Sequence, residues 1–209
     1  MCGIAGIVET AAAKPSISEA ILRKMSDIIH HRGPDDEGQW ISPNHRCGFA
    51  FRRLAIIDLS PAGHQPMSTT DGRFTIVFNG EIYNHLTLRR DLEERGYEYH
   101  SKSDTETILF GFREYGEQFL SKMVGMWGLA IWDNDKQELF CARDRIGVKP
   151  FYYSFNAGRF IFGSEIKSIL QHPSISKEMN IKEMTNYLSF SMTSEHSALF
   201  EGIQKLPAG

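Results

Sequence analysis

The chain has 209 residues, 41% hydrophobic and 23% charged, which is enough apolar material for one large domain or two small ones. Its formal net charge of -3, from 23 basic and 26 acidic residues with no Lys/Arg stripe, excludes a polyanion such as nucleic acid as the first-choice partner. The cysteines Cys2, Cys47 and Cys141 follow no disulfide-framework spacing, the N-terminus lacks a basic n-region, and the apolar run 124–132 is far below the ~20 residues that span a bilayer, so a soluble cytoplasmic protein is expected.

Residues 3–9 read as the first strand. Ser16-Ile17-Ser18-Glu19 then has the form of a capping box, and Ile21, Leu22, Met25, Ile28 and Ile29 behind it share one helical face. Residues 46–59 and 74–78 are the next strand-like runs. Two helices follow. One covers 85–95 and closes at Gly96; the other covers 103–115, opens on Ser/Asp capping candidates and closes at Gly116. Strand patterns return at 126–132, 138–142, 150–155 and 159–163. Short separators such as Asp71-Gly72, Asp133-Asn134 and Ala157-Gly158 favour antiparallel pairing. A last helix is expected at 180–190, with Asn180 and Glu183 placed as its cap, and residues 202–209 end without helix or polar tail, as at a junction between domains. The order of elements predicts an α+β fold with largely antiparallel sheets, not βαβ alternation.

Chemistry gathers at the N-terminus. A small residue after Met1 permits removal of the initiator, which leaves Cys2 with both a thiol and a free α-amine. The amine titrates at ~7.7–8.0 and the thiol at roughly 8.5, so the pair shares a coupled protonation state near neutrality. An N-terminal residue can in this way activate its own side chain. The plain alternative is an incidental second residue. A cysteine that cleaves amides needs two donors for the developing oxyanion, and Asn79-Gly80 offers a side-chain amide and an unhindered N–H. On local grounds a hairpin turn is the stronger reading of Asn-Gly, although 81–84 do not continue as a return strand. Arg53 can clamp a substrate carboxylate, or can simply face solvent on its strand; Arg52 points to the opposite face. Asp104, at a helix start, can hold an ammonium and cap the helix at once.

The segments MCGIAGIV (1–8), HRGPDDEG (31–38), RRLAIIDLSPAGHQPM (52–67), FNGEIYNH (78–85), SDTETIL (103–109), GMWGLAIWD (125–133), ARDRIGVKPFYY (142–153) and FGSEIKSIL (162–170) together resemble the N-terminal glutaminase domain of class II glutamine amidotransferases, most closely the asparagine synthetase (glutamine-hydrolysing) branch. The resemblance runs the length of the chain. It implies the N-terminal nucleophile hydrolase fold, a four-layer αββα sandwich of two antiparallel sheets, with 1–209 as one glutaminase domain and Met1 removed. By the same resemblance Cys2 is the nucleophile, Asn79 and Gly80 form the oxyanion hole, Arg53 binds the glutamine α-carboxylate, and Glu81 and Asp104 surround its α-amino group. The implied reaction is hydrolysis of L-glutamine to glutamate and ammonia through a γ-glutamyl thioester. The ammonia would serve a C-terminal synthetase domain, expected after 209 and absent from this chain. No cofactor is expected for the glutaminase domain itself, ATP and Mg2+ belonging to the synthetase domain. A homodimer stays open as a partner; nucleic acid and membrane are not expected. Phe51 departs from the pattern, since many relatives carry histidine there.

Other residues attract plainer readings. The eight histidines include no i, i+4 pair and no zinc spacing with cysteine, so no metal site is expected. Cys47, Cys141 and Phe151-Tyr152-Tyr153 read as core. Arg143-Asp144-Arg145 reads as an ion-paired turn, or as an interface element next to the neighbouring domain. Two rival functions stand beside the glutaminase: the same domain in an asparagine synthetase-like enzyme of surface-polysaccharide biosynthesis, and an inert regulatory or scaffold domain.

Overall fold

The computed structural model describes residues 1–13 and 15–209. In chain order the elements are β1 (Gly3–Glu9), α1 (Glu19–Asp27), β2 (Asp36–Ile41), β3 (Cys47–Arg53), β4 (Met67–Ser68), β5 (Phe74–Ile82), α2 (His85–Glu94), α3 (Asp104–Tyr115), α4 (Phe119–Lys122), β6 (Gly125–Asp133), β7 (Glu138–Arg143), β8 (Tyr152–Asn156), β9 (Arg159–Gly163), α5 (Ile166–Ile169), α6 (Ile181–Phe190) and β10 (Gln204–Lys205). One sheet has the order β10-β8-β9-β1-β3-β2 and the other β4-β5-β6-β7, and every pairing is antiparallel.

Side chains alternate across a strand, so parity along each strand sorts the residues into layers. Ile4, Phe49, Phe51, Val77, Ala130, Trp132 and Phe162 form the core between the sheets. The opposite parity of the larger sheet, Ala5, Ile7, Ala50 and Ile161, packs on Leu22 and Met25 of α1 and on Ile169 of α5. The other face of the smaller sheet, Phe74, Ile76, Phe78, Leu129 and Ile131, meets Ile108 and Leu109 of α3 and Phe119 of α4. Helix, sheet, sheet and helix therefore stack as the expected four layers.

Several boundaries differ from the sequence reading. The strand expected at 46–59 stops at Arg53, where its neighbours also stop: the pairings end at Gly3↔Arg52 and Asp36↔Arg53. The strand expected at 74–78 continues to Ile82, because β6 pairs with it residue by residue, including Asn79↔Gly128 and Gly80↔Trp127. The hairpin-turn reading of Asn79-Gly80 is thus overturned. The capping box is shifted: Ser18 caps α1 by accepting the Ile21 N–H at 3.4 Å, while the Ser16 hydroxyl donates to Glu9 at 2.5 Å. Ile28 lies off the buried face and is 41% exposed. Strand β2 was not anticipated, since DEGQWI carries apolar residues only at its end, and neither was β10, which adds Gln204 and Lys205 to β8 at Tyr153 and Tyr152. No helix among the described residues is long and apolar enough to cross a membrane.

Candidate active site

The inter-sheet core ends where its apolar residues give way to polar ones of the same parity. On β3 the step is from Phe51 to Arg53, on β5 from Val77 to Asn79, and on β1 from Ile4 back to Cys2. The β1–β3 register that pairs Gly3 with Arg52 sets Cys2 beside Arg53. All six residues singled out by sequence, Cys2, Arg53, Asn79, Gly80, Glu81 and Asp104, line one cleft, with Phe51 and Lys149 also in its wall.

The Cys2 sulfur accepts the Leu54 N–H at 3.4 Å and its thiol donates to the Leu54 carbonyl at 3.6 Å. Burial pushes the thiol upward; the Leu54 N–H, the chain terminus and Arg53 oppose this, and Asp104 adds to it. The N-terminal amine, here on Met1, is held below its usual range by burial above all, with Cys2 opposing and Arg32 and Lys149 assisting. Arg32 Nε donates to the Cys2 carbonyl at 2.9 Å and its Nη1 to Glu165 at 3.0 Å, which ties the first turn of chain to the larger sheet.

Asn79 is 1% exposed, and neither its Nδ2 nor its Oδ1 has a partner among the described residues. Leaving a buried amide unsatisfied costs about 1–3 kcal/mol, which marks the position as one shaped for something other than stability. Gly80 sits opposite Trp127, whose N–H and C=O are both engaged with Asp144 on the β7 side. Gly80 and Trp127 therefore form a non-hydrogen-bonded pair, and the Gly80 N–H points to the open edge of β5. Its neighbours of like parity bracket it along that edge: the Phe78 N–H donates to Gln65 at 2.7 Å, and the Ile82 N–H donates to Asp104 at 3.0 Å. A Cβ at Gly80 would come within 2.2 Å of the Met126 carbonyl oxygen, so the strand accepts only glycine there.

Arg53 is buried, not solvent-facing. Its Nη1 donates to the Ser60 carbonyl at 2.9 Å and its Nη2 to the Asp58 carbonyl, and a Cβ at Gly63 would lie 2.2 Å from Nη2. A guanidinium has five N–H donors, so these two carbonyls do not exhaust it, and the Asp36 carboxylate lies 4.0 Å from Nη1. Arg52, of opposite parity, turns to Asp27, Glu37 and the Ser26 carbonyl, as alternation requires. Asp104 is the first residue of α3, whose cap is Ser103, and burial raises its carboxyl to about 6, with Glu81 nearby adding to the rise. The Ile82 and Thr105 N–H groups pull the other way.

Some residues of the cleft were given no individual role by the sequence, although they lie in the 52–67 motif. Gln65 grips Phe78, next to Asn79, through both its N–H and its C=O, and also reaches Thr105 at 3.1 Å. Asp58 holds the 54–60 segment by accepting from Ser60 at 2.6 Å and from the Lys102 N–H at 2.7 Å. These partners lie far apart in sequence, and only the fold unites them. Arg143, Asp144 and Arg145 do not pair with one another. Arg143 donates to the carbonyls of Lys149, Leu206 and Gly147, and Arg145 to those of Met123, Leu120 and Ser121. Asp144 gathers the N–H groups of Trp127, Val148 and Lys149. Cys47 and Cys141 are free and in the core layer. No group of three or more His, Cys, Asp or Glu among the described residues is placed to hold a metal ion.

The chain as a whole is similar to known proteins. The family model described as a glutamine amidotransferase domain matches residues 1–209. Asparagine synthetase [glutamine-hydrolyzing] 2 of Bacillus subtilis is 40% identical over 100% of the chain and 28% of its own length. Asparagine synthetase [glutamine-hydrolyzing] 1 of the same organism is 38% identical over 100% of the chain and 33% of its own length. The chain thus spans about a third of the length of these curated relatives. Among solved structures, glutamine phosphoribosylpyrophosphate amidotransferase of B. subtilis, complexed with ADP and GMP, shares the fold at a TM-score of 0.66 and 18% identity, covering 80% of this chain and 43% of that one.

Proposed function

The chain belongs to the glutamine amidotransferase domain family, and from that premise we propose that it hydrolyses L-glutamine to glutamate and ammonia through a γ-glutamyl thioester on Cys2, once Met1 has been removed. The observation that carries the reading is Asn79: a buried amide with both polar atoms unpartnered among the described residues, in the same cleft as the sulfur of Cys2.

In this reading the freed Cys2 amine takes the thiol proton, and the sulfur attacks the side-chain carbonyl carbon of glutamine. The carbonyl π pair moves to oxygen, and the Asn79 amide and Gly80 N–H donate to the resulting oxyanion. The amine then passes its proton to the departing nitrogen, the C–N bond breaks, and ammonia leaves. Water next gives a proton to the amine while its oxygen adds to the thioester. The C–S bond breaks, glutamate leaves, and the thiol is restored. Arg53 meets the substrate carboxylate with N–H groups that Ser60 and Asp58 leave unused, and Asp104 and Glu81 meet the ammonium. In this reading the ammonia goes to a synthetase domain that makes asparagine, which the names of the relatives support; ATP and Mg2+ are proposed for that domain and no cofactor for this one.

The test is glutamate release from glutamine by the Met1-free chain and its Asn79→Ala variant. The reading expects turnover in the parent and a loss of about 10²- to 10³-fold in kcat in the variant, with KM little changed and Tm not lowered. A parent that releases no glutamate, or a variant with unchanged kcat, contradicts it.

A further inference from the structure

Lys149 is the remaining cation in the wall of the cleft, and its ordinary roles are missing. It is 5% exposed, and it appears in no salt bridge among the described residues. Its Nζ has one hydrogen-bond partner there, the thioether sulfur of Met1, at 3.2 Å. A thioether is a weak acceptor, and removal of Met1 takes even that away. A buried ammonium left without an acceptor is costly, as the buried Asn79 amide is.

The backbone is built to aim it. The Asp144 carboxylate accepts the Lys149 N–H at 2.9 Å and the Val148 N–H at 2.8 Å, and Arg143 Nε donates to the Lys149 carbonyl at 2.6 Å. Gly147 turns the chain at φ 69, and a Cβ there would press on the Arg143 guanidinium at 2.9 Å. The Arg143-Asp144-Arg145 motif thus serves as a frame that fixes the 144–149 turn and points one lysine into the cleft.

We propose that Lys149 is a positioning residue of the glutamine hydrolysis: once Met1 is gone, its ammonium faces the sulfur and the freed amine of Cys2 and favours the deprotonated, nucleophilic form of that pair. The inference rests on the proposed glutaminase reading and adds to it the group that sets the protonation state of the nucleophile. The charges around Lys149 agree with this placement. Burial lowers its own ammonium, Arg32 adds to the lowering, and Cys2, Glu81 and Asp144 favour the charged form. Cys2 in turn feels the chain terminus and Arg53 as lowering influences and Asp104 as a raising one. The N-terminal amine feels Arg32 and Lys149 as lowering influences and Asp35 as a raising one. A nearby cation favours the deprotonated form of a thiol and of an amine, so Lys149 works against the burial that raises Cys2.

The experiment compares the parent with Lys149→Met, a substitution of similar length that removes only the charge, after the mass of each protein shows Met1 removed. The first readout is the pH midpoint of Cys2 alkylation by iodoacetamide, mapped to the N-terminal peptide. The second is the acid limb of the pH profile of kcat/KM for glutamine. The third is Tm. The inference expects both midpoints to rise by about one pH unit, with roughly tenfold slower alkylation at neutral pH, while Tm holds or rises. Unmoved alkylation and kcat/KM midpoints overturn it, as does a fall in Tm with midpoints unmoved, which would make Lys149 a structural residue. If the parent releases no glutamate, the functional reading falls, and the alkylation midpoint alone still decides what Lys149 does.

Discussion

In the proposed reading, Asp104 trades stability for binding. Burial holds its carboxyl at about 6 in the folded chain, against 3.8 for the free side chain. Between those values the folded state binds more protons than the unfolded state, so stability is highest at acid pH and declines as pH rises through about 6. The full loss is on the order of 3 kcal/mol, at ~1.4 kcal/mol per unit. Asp104→Asn keeps an oxygen for the Ile82 N–H and removes the charge. It should therefore be more stable than the parent at pH 8 by up to that amount, with the difference vanishing toward pH 4. The same variant should bind glutamine more weakly, and in the parent KM should climb as pH falls below about 6, because a neutral carboxyl no longer pairs with the substrate ammonium. Denaturant unfolding at several pH values and a KM profile check both halves. A variant with parental KM would remove Asp104 from the site. At this scale the candidate residues were legible where side-chain chemistry alone suggested a role, as for Cys2, Arg53 and Asp104. Lys149 and Gln65 were not, because their place in the cleft depends on contacts across the fold.

Strand β5 is where the element and the site meet. Its apolar half, Phe74 to Phe78, announces a strand; its polar half, Asn79 to Ile82, does not, and Asn-Gly argues locally for a turn. The continuation is imposed by β6, whose residues Gly125 to Gly128 pair along that half. β3 erred the other way: its apolar pattern runs on to Leu59, but there is no partner past Arg53. Helices were read more closely, since caps such as Ser103 and Asn180 act through residues two or three positions away and are visible in a sequence window. The 144–149 turn was misjudged, because ion pairing between adjacent charges is the local expectation and backbone capture by Asp144 is not. Its carboxylate serves three N–H groups, from Trp127, Val148 and Lys149. Asp144→Ala leaves them unsatisfied and should destabilise the fold by about 2–4 kcal/mol, read as a shift of the urea midpoint. A change under 0.5 kcal/mol would show that the turn does not depend on that carboxylate.

On the scale of the whole molecule, parity is the device that makes a site out of a sandwich. Strands from two sheets send alternate residues into one shared layer, and at one end of that layer the apolar set is replaced by Cys2, Arg53 and Asn79. The α+β class and the four-layer order follow from element order and alternation, so they could be read from the chain. The strand order within each sheet could not, because nothing local tells β1 to sit between β3 and β9. The arrangement also suits the role proposed for Cys2: β1 is a central strand, paired on both sides, so the chain leading into it is not a fraying tail.

The central claim is that Cys2 carries the acyl group, and acid quenching during turnover tests it most directly. The Met1-free chain and its Cys2→Ala variant are mixed with glutamine, quenched within the first turnovers, digested, and the N-terminal peptides weighed. The account predicts a γ-glutamyl adduct on the peptide that begins with Cys2, formed at the rate at which ammonia first appears, and neither adduct nor glutamate from the alanine variant. Glutamate released by both proteins at equal rates, with no adduct on the N-terminal peptide, would contradict it.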